Sequence, residues 1–449
     1  MSHQLLDLET LKQITQDVLK LAKQAGASAA ETETSFGSGQ NVSVRLGETE
    51  TIEYNRDKGI SVTVYFGQQK GHASTSDLSP LALKDTVEAA CKIAKYTAKD
   101  EYCGLADAAL MATDVPDCDL NFPWHISVED AVEMAKRCET AALDVDKKRI
   151  TNSEGAGVSS SEGVYAYANS HGFVGGYAST RHSMSCSVIA GDADAMQRDY
   201  WYTNARDMHD MESAESVGKL AGERTIRRLG VMPMQTGNYP VLFEAPLASG
   251  LISSLISAIS GSSLYRKSSF LLDSLGKPIA SSLLNIDELP HLKKGNASRP
   301  FDNEGVATTS RKLVENGVLQ GYVLSSYSAR KLGMQTTGNA GGSHNLIVQS
   351  TGQSFVELLQ LMGTGLLVTE VLGHGLNMVT GDYSRGAAGF WIESGVIAYP
   401  VEEITIAGSM KDMLNNIIAI GSDVNKQSAK QTGSILIERM TVAAGGEQD

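Results

Sequence analysis

The stretch NVSVRLGETETIEYNRDKGISVTVYFG, residues 41–67, carries the pattern that decides the fold of this chain. Residues 41–46 and 51–54 alternate between apolar and polar side chains, and Gly47 begins a turn between them. Residues 60–66 are rich in β-branched and aromatic side chains, which favour strands. The stretch therefore predicts a meander of three short strands.

Helical patterns flank this meander on both sides. Residues 8–25 place apolar side chains on one stripe, and Gly26 follows at the position where helices commonly end. On the other side, Ser79 is a typical helix cap and Pro80 suits the first helical position. The first segment therefore reads α-β-β-β-α.

A second segment repeats this layout after a polar linker near residues 114–123, although no sequence repeat is visible. Ser127 caps a helix that is predicted to extend to about residue 146. Another helix is predicted over residues 213–229, before Gly230. Between the helices, alternation and turn residues predict four strands: 163–168, 172–180, 184–190 and 199–203.

The third region differs from the first two in its glycine content. Residues 333–395 contain 13 glycines in 63 positions, where the chain average of 44 in 449 would give about 6. Turns and close backbone approaches explain such a density, so we expect mostly strands, with one helix over residues 354–362. The predicted fold class is α+β: two helix-and-strand segments followed by a β-rich C-terminal domain. The predicted domains are 1–120, 121–232 and 233–449.

Composition excludes several functional classes. The chain has 52 acidic and 38 basic residues and a net charge of −14, so it has no general electrostatic reason to bind nucleic acid or an anionic membrane. The N-terminus does not resemble a secretory signal, and the longest weakly polar stretch, residues 249–261, is too short to span a bilayer. We therefore predict a cytoplasmic protein. Its five cysteines lack C-x-x-C spacing and are expected to be reduced structural thiols.

Common catalytic motifs are missing from the sequence. The G-x-G pairs lack the third glycine of a dinucleotide fingerprint, and Gly276-Lys277 is followed by proline instead of the Ser or Thr of a phosphate loop. The chain contains neither a G-x-S-x-G nucleophile elbow nor an H-E-x-x-H zinc motif. Nucleotide binding and serine hydrolysis are therefore disfavoured.

Individual histidines are weaker sequence evidence for a metal site or a catalytic site. Glu370 and His374 stand at i and i+4, which on a helix would let both face one metal ion. Two ligands are too few for zinc and the surrounding glycines disfavour a helix, so a structural role is the favoured reading. For His171 and His182, in strand-rich surroundings, we expect satisfied or solvated imidazoles.

A glycine pair at residues 341–342 precedes His344 and follows Arg330 and Lys331. Backbone N–H groups of such a turn, with two cations nearby, can hold a carboxylate or a phosphate. A tight turn with solvated charges is the alternative, and we favour it.

Longer phrases resemble a known family. They are RITN at 149–152, NSHG at 169–172, YRKSSFLLDSLGK at 265–277, SYSARKLG at 326–333 and GDYSRGAAGFW at 381–391. They are similar to the PmbA (TldE) branch of the TldD/PmbA family over essentially the whole chain. The resemblance implies a cytosolic metalloprotease of two related subunits that acts on unfolded peptides, such as peptide antibiotic precursors and antitoxins. The family is also described as a modulator of DNA gyrase, which the acidic composition gives no reason to interpret as direct DNA binding.

The resemblance also implies where the family's metal would be. The TldD branch carries H-E-x-x-x-H near the start of the third region, and an alignment without gaps places this motif on residues 253–258. Ser253, Ser254 and Ala258 occupy the positions of the two histidines and the glutamate. Serine and alanine supply neither an imidazole ligand nor a base. We therefore expect no metal in this chain and no catalytic residue, and zinc in a TldD-like partner.

Three hypotheses follow from this combination. In the first, the chain is the metal-free subunit of a hetero-oligomer with a TldD-like catalytic subunit, and it forms a homodimer in isolation. In the second, it is a non-enzymatic regulatory or peptide-binding protein; in the third, which is disfavoured, it is an active metallopeptidase alone. Tyr383, Arg385 and Trp391 are the candidate peptide-binding residues, because a polar and aromatic cluster between glycines suits a recognition loop.

Overall fold

The structure is a computed structural model that describes residues 6–192 and 195–445. The helices are α1 (Leu8–Gln24), α2 (Pro80–Tyr96), α3 (Val128–Leu143), α4 (Ala214–Arg227), α5 (Ala245–Ala258), α6 (Gly261–Tyr265), α7 (Ser326–Lys331), α8 (Phe355–Met362) and α9 (Met410–Asn415). The strands of the N-terminal half are β1 (Ala29–Arg45), β2 (Glu48–Phe66), β3 (Gln69–Thr75), β4 (Ile150–Asn169), β5 (Val174–Ala190) and β6 (Gln197–Ala205). The C-terminal half contains β7 (Gly237–Phe243), β8 (Ile286–Leu289), β9 (Arg311–Glu315), β10 (Val318–Leu319), β11 (Asn345–Val348), β12 (Gly365–Leu372), β13 (Asp382–Glu393), β14 (Val396–Ser409), β15 (Ile417–Ile420), β16 (Lys430–Gln431) and β17 (Ile435–Ala443).

The strands of both N-terminal segments form one six-stranded antiparallel sheet. Its strand order is β3-β2-β1-β4-β5-β6, and β1 pairs with β4 across the two segments. The predicted short strands are wrong in length: residues 51–54 and 60–66 lie in the single strand β2, and residues 174–180 and 184–190 of the next two predicted strands lie in β5. Strand β3 was not predicted. Residues 48–58 of β2 are exposed on both faces, so their polar sequence indicates a solvated strand and not a turn.

Helices α1 to α4 cover one face of this sheet. The predicted caps are confirmed: the side chains of Ser79 and Ser127 accept hydrogen bonds from the first turns of α2 and α3. Helices α1 and α2 pack on a cluster around Val62, and α3 and α4 pack on a cluster around Val42. The opposite face meets the C-terminal half through aromatic contacts such as Tyr177 of β5 against Phe301, whose ring centroids are 6.0 Å apart. The two helix pairs thus leave one face of the sheet for the rest of the molecule.

The C-terminal half contains two further sheets. One has the order β14-β13-β12-β7-β17-β15, and β14 also pairs with β17; the other has the order β10-β9-β8-β11-β16. The β-rich character of this region and helix α8 are as predicted, and the fold is α+β as a whole. Helix α5 was not predicted, since its sequence is weakly polar along its length and most of its circumference is buried. Among the described residues, no helix combines the length and the apolar character needed to cross a membrane.

Candidate functional site

Helix α5 contains the three positions where the resemblance places the family's metal motif. The hydroxyl of Ser253 donates to the carbonyl of Ser249 at 2.8 Å, and that of Ser254 donates to the carbonyl of Gly250 at 3.0 Å. Ala258 is buried and has no polar side-chain atom. Both hydroxyls are thus bound to carbonyls of their own helix, and a neutral hydroxyl is a poor zinc ligand beside imidazole or thiolate. These residues do not fit a zinc ion.

The rest of the described chain offers no substitute for that motif. Within residues 6–192 and 195–445, no three His, Cys, Asp or Glu side chains are grouped as a metal site requires. Glu370 and His374 do not share a helix, because Glu370 lies in strand β12 and His374 is exposed in the turn that follows. Glu370 instead accepts a hydrogen bond from Arg228 at 2.6 Å.

A cavity of about 660 Å³ lies between the N-terminal sheet and the first turn of α5. Two ion pairs line it: Arg198 with Glu154 at 3.2 Å, and Arg228 with Glu370 at 2.6 Å. The remaining lining residues come from strands β1, β4, β5, β6 and β12 and from helix α5: Ser43, Gly155, Ala156, Gly157, Ser185, Cys186, Ser187, Asp199, Tyr200, Leu247, Thr369 and Val371. The cavity therefore offers cations and carboxylates to a polar ligand at the junction of the two halves.

A network of buried charges holds the two halves together beside this cavity. Arg224 of α4 donates two hydrogen bonds to Glu244, at 2.9 and 3.0 Å, and lies 3.4 Å from Asp199. Burial acts to lower the pKa of Arg224, but the adjacent Glu244 and Asp199 outweigh it and hold this pKa above its ordinary value. Sequence reasoning missed the network, although the cations Arg227 and Arg228 at the end of a predicted helix were a signal for it.

The cavity contains no activated thiol among the residues that line it. Cys186 is the one thiol there, and its hydrogen bond with Cys138 and its burial raise its pKa. The thiol is therefore protonated near neutral pH, and only a thiolate would attack a carbonyl. All five cysteines are free, and four of them are buried. The arrangement can bind a polar ligand, but its thiol is not poised for nucleophilic attack.

The three candidate peptide-binding residues lie on strand β13 and not in a loop. Tyr383 and Trp391 are buried in the largest core cluster, and Trp391 packs edge-on against Tyr239 with ring centroids 4.8 Å apart. Arg385 donates to the carbonyl of Gly373 at 2.6 Å. The geometry thus gives all three a structural role, and peptide contact stays a prediction.

The imidazoles of His171 and His182 lie within hydrogen-bond distance of neighbouring polar groups, as expected for satisfied side chains. His182 is buried between the hydroxyl of Ser160 and the carbonyl of Phe122, at 3.0 and 2.9 Å. His171 lies 3.1 Å from the carbonyl of Ala106.

The cations expected beside His344 lie elsewhere. Arg330 donates to the carbonyls of Tyr102, Gly104 and Leu105 and so holds α7 against the segment that follows α2. Lys331 lies over the ring of Tyr102, 4.2 Å from its centroid.

Comparison with known families matches most of the chain. Three sequence models match in order: "PmbA/TldA metallopeptidase domain 1" at residues 35–94, the central domain at 121–229 and the C-terminal domain at 236–444. The chain is 50% identical to "Metalloprotease PmbA homolog" of Haemophilus influenzae over 97% of this chain and 96% of that protein. It is 49% identical to "Metalloprotease PmbA" of Escherichia coli over 96% of each chain.

Solved structures share the fold over almost the full length. A Bacteroides thetaiotaomicron protein described as a candidate modulator of DNA gyrase has a TM-score of 0.91 and 31% identity, and the match covers 96% of this chain and 98% of that one. TldE from Thermococcus kodakarensis has a TM-score of 0.82, with 96% of this chain and all of that one covered; at 21% identity it shows the fold alone. A TldD homolog of Buchnera aphidicola is 22% identical over 42% of each chain.

Proposed function

Because this chain belongs to the PmbA/TldD metallopeptidase family, we propose that it is the metal-free, substrate-holding subunit of a two-component metalloprotease. Catalysis and the zinc ion belong to a TldD-like partner, with which this chain forms a hetero-oligomer. In isolation the chain forms a homodimer. The complex acts in the cytoplasm on unfolded peptides, such as peptide antibiotic precursors and antitoxins.

One observation carries this proposal: the state of the serines on α5. Ser253 and Ser254 stand where the catalytic branch has ligand and base, and their hydroxyls are bound to carbonyls one turn back in the same helix. The metal-bound water of a peptidase needs imidazole, carboxylate or thiolate ligands and a general base. This helix therefore supports a division of labour in which the metal chemistry belongs to another subunit.

Two features support the handling of peptides by this chain. The cavity beside α5 presents Arg198, Arg228, Glu154 and Glu370, which can pair with the polar groups of a peptide. Among the residues that the structure describes, residues 48–59 of β2 pair only with β1, so the other edge of this strand is open to them. An extended peptide can pair with an open strand edge through main-chain hydrogen bonds, which tolerate many side-chain sequences.

A peptidase assay with separated subunits tests the proposal. This chain, the TldD-like subunit from the same genome, and their mixture are each incubated with an unfolded peptide, and cleavage is followed by mass spectrometry. We expect full activity only from the mixture. A mixture in which the motif glutamate of the partner is replaced by glutamine serves as the control and should be inactive. Cleavage by this chain alone, free of the partner, would overturn the assignment.

Metal analysis gives a second, independent readout. We expect well under one zinc ion per purified chain and no change in a His374→Ala variant. A stoichiometric zinc content that disappears in this variant would show that the chain holds a metal of its own.

The second candidate is a non-enzymatic regulatory or peptide-binding protein. The charged cavity, in which burial and Cys138 keep the thiol of Cys186 protonated, favours it as much as a subunit role. Co-purification distinguishes the two, because a regulatory protein of this kind would bind peptide without binding a TldD-like subunit and without increasing its activity.

A further inference from the structure

Three arginines from distant parts of the sequence converge at the junction of the two halves. Arg181 belongs to β5, Arg206 follows the end of β6, and Arg299 lies in the segment between β8 and β9. The Nη2 atoms of Arg181 and Arg206 both donate to the carbonyl oxygen of Asn296, at 3.1 and 3.2 Å. Nη1 of Arg299 donates to Oδ1 of Asn303 at 2.5 Å, and Arg299 is near enough for its positive charge to lower the pKa of Arg206, so the fold collects three guanidinium groups in one region.

This group of cations has no counter-charge in the described part of the chain. No carboxylate oxygen of those residues lies within 4.0 Å of Arg181, Arg206 or Arg299, whereas eight of the other thirteen arginines have such a partner. The nearest acid in sequence, Asp207, is engaged at 2.8 Å by Lys294. In a chain with a net charge of −14, a cluster of three unpaired cations is conspicuous.

The surroundings of Arg206 make the lack of a negative partner especially unfavourable for its positive charge. Its Nε is buried and has no hydrogen-bond partner among the described residues. Burial, followed by the positive charges of Arg181 and Arg299, lowers the pKa of Arg206 to about 10. A buried cation beside like charges is unfavourable unless an anion compensates it.

The Gly341–Gly342 turn approaches the same cluster. A Cβ atom built on Gly341 would lie 2.7 Å from Nη1 of Arg299, so the bare backbone of the turn packs directly against this guanidinium. The sequence offered Arg330 and Lys331 as cations for this turn, with a solvated turn as the favoured alternative; the structure places Arg299 there. The backbone amides of Gly341 and Ser343 have no hydrogen-bond partner in residues 6–192 and 195–445.

We propose that Arg181, Arg206 and Arg299 form a binding site for an oxyanion, either a carboxylate or a phosphate, between the two halves of the molecule. Guanidinium groups bind both anions through paired N–H donors, and a bound anion supplies the charge that the cluster lacks. The bonds to Asn296 explain why Arg206 joins the two halves, but they do not balance three positive charges. The site does not depend on the proposed peptidase complex.

Calorimetric titration with two kinds of anion tests the site. The probes are inorganic phosphate, and acetyl-trialanine as the free acid and as the C-terminal amide, all at constant ionic strength with chloride. The variant is Arg181→Gln/Arg299→Gln, which leaves the bonds of Arg206 intact. The control is Arg137→Gln/Arg149→Gln, which removes the same charge from two exposed ion pairs. We expect phosphate or the free acid to bind the native chain and the control, and to bind the variant at least about tenfold more weakly.

Each alternative result has a defined meaning. Binding of phosphate alone identifies the source as a phosphate, and binding of the free acid but not the amide identifies a peptide carboxylate. The site is refuted if neither anion binds the native chain at about 10 mM, or if the double variant binds as tightly as the control. The melting temperature of each variant without anion is measured in parallel. If the double variant is unfolded, the single variant Arg181→Gln, at an exposed residue, replaces it. An anion affinity equal to that of the native chain in this single variant would also refute the site. None of these outcomes requires the TldD-like subunit, so they are separable from the peptidase assay.

Discussion

His344 shows how the surroundings of one residue determine its charge. It is 4% exposed, its Nε2 lies 3.0 Å from the carbonyl of Gly338, and its buried Nδ1 has no partner among the described residues. Burial is the main cause that lowers the pKa of His344 below the ordinary value of 6.5. The folded protein therefore holds this imidazole neutral under conditions in which the unfolded chain protonates it.

The sign of the resulting pH dependence follows from proton linkage. Below pH 6.5 the unfolded state binds more protons at this position than the folded state. The contribution of the neutral His344 to the free energy of unfolding is therefore fully present above this pH and is lost as the pH falls. We expect the free energy of unfolding, measured with denaturant, to fall less steeply from pH 7 to pH 5 in His344→Gln than in the native chain. The exposed His374→Gln is the control and should keep the native slope. Parallel curves for His344→Gln and the native chain would refute the linkage.

Glu139 is a second residue whose role is set by its partners. It is 2% exposed on α3 and accepts hydrogen bonds from the amides of Leu46 and Gly47, both at 2.8 Å, in the turn between β1 and β2. The hydroxyl of Ser153 also donates to it, at 2.5 Å. Removal of the carboxylate leaves two amides and a hydroxyl without an acceptor. Each unsatisfied buried donor costs up to about 1–3 kcal/mol of folding free energy.

We therefore expect Glu139→Ala to lower the free energy of unfolding by about 2–4 kcal/mol. Glu139→Gln keeps one acceptor and should lose less. The exposed Glu133→Ala on the same helix is the control, with a change within about 0.5 kcal/mol. Denaturant unfolding measures all three, and equal losses in Glu139→Ala and Glu133→Ala would contradict the anchoring role.

At the scale of elements, replacement of glycine by alanine is expected to have opposite effects on stability at two helical positions, Gly218 and Gly250. A Cβ atom on Gly218 of α4 would lie 1.9 Å from the carbonyl oxygen of Cys138 on α3, so these helices touch through their backbones. A Cβ atom on Gly250 of α5 meets nothing within 4 Å. We expect Gly218→Ala to destabilise the fold by at least about 2 kcal/mol through overpacking. Gly250→Ala should stabilise it by about 0.5–1 kcal/mol through helix propensity. Thermal unfolding measures the melting temperature of both variants, and shifts of the same sign relative to the native chain would refute this packing.

Elements with a local signature were predictable from the sequence, and elements defined by distant partners were not. Ser79 and Ser127 mark their helices because a cap is a local hydrogen bond. The length of β2 depends on pairing with β1 over its whole course, so the polar residues 55–58 suggested a break where the ladder continues. Helix α5 has no cap side-chain bond and little amphipathic contrast, and therefore its sequence carried no helix signal.

At the scale of the whole molecule, the same distinction applies to the sites. The three motif positions on α5 could be inspected because a gapless phrase of sequence identifies them. The arginine cluster could not, since residues 181, 206 and 299 meet only after the sheet of the N-terminal half docks on the C-terminal half. At the Gly341–Gly342 turn the sequence offered Arg330 and Lys331 as nearby cations and favoured a tight turn with solvated charges, whereas the structure brings Arg299 to this turn. The folding of the C-terminal half, and not a local pattern, brought the guanidinium of Arg299 to the turn.

The docking of the two halves depends on the charges around Glu244, which gives the final prediction. Glu244 is the shared partner of Arg224 and Arg227, and its carboxylate is largely buried. Glu244→Gln leaves a buried guanidinium with only Asp199 as counter-charge, so we expect a loss of about 3–5 kcal/mol in the free energy of unfolding. Glu370→Gln, which removes the more exposed partner of Arg228, is the matched control and should cost less than about 1 kcal/mol. Urea unfolding of both variants separates the cases. If the two losses are equal, the halves are held by their apolar contacts and the buried network contributes no more than a surface pair.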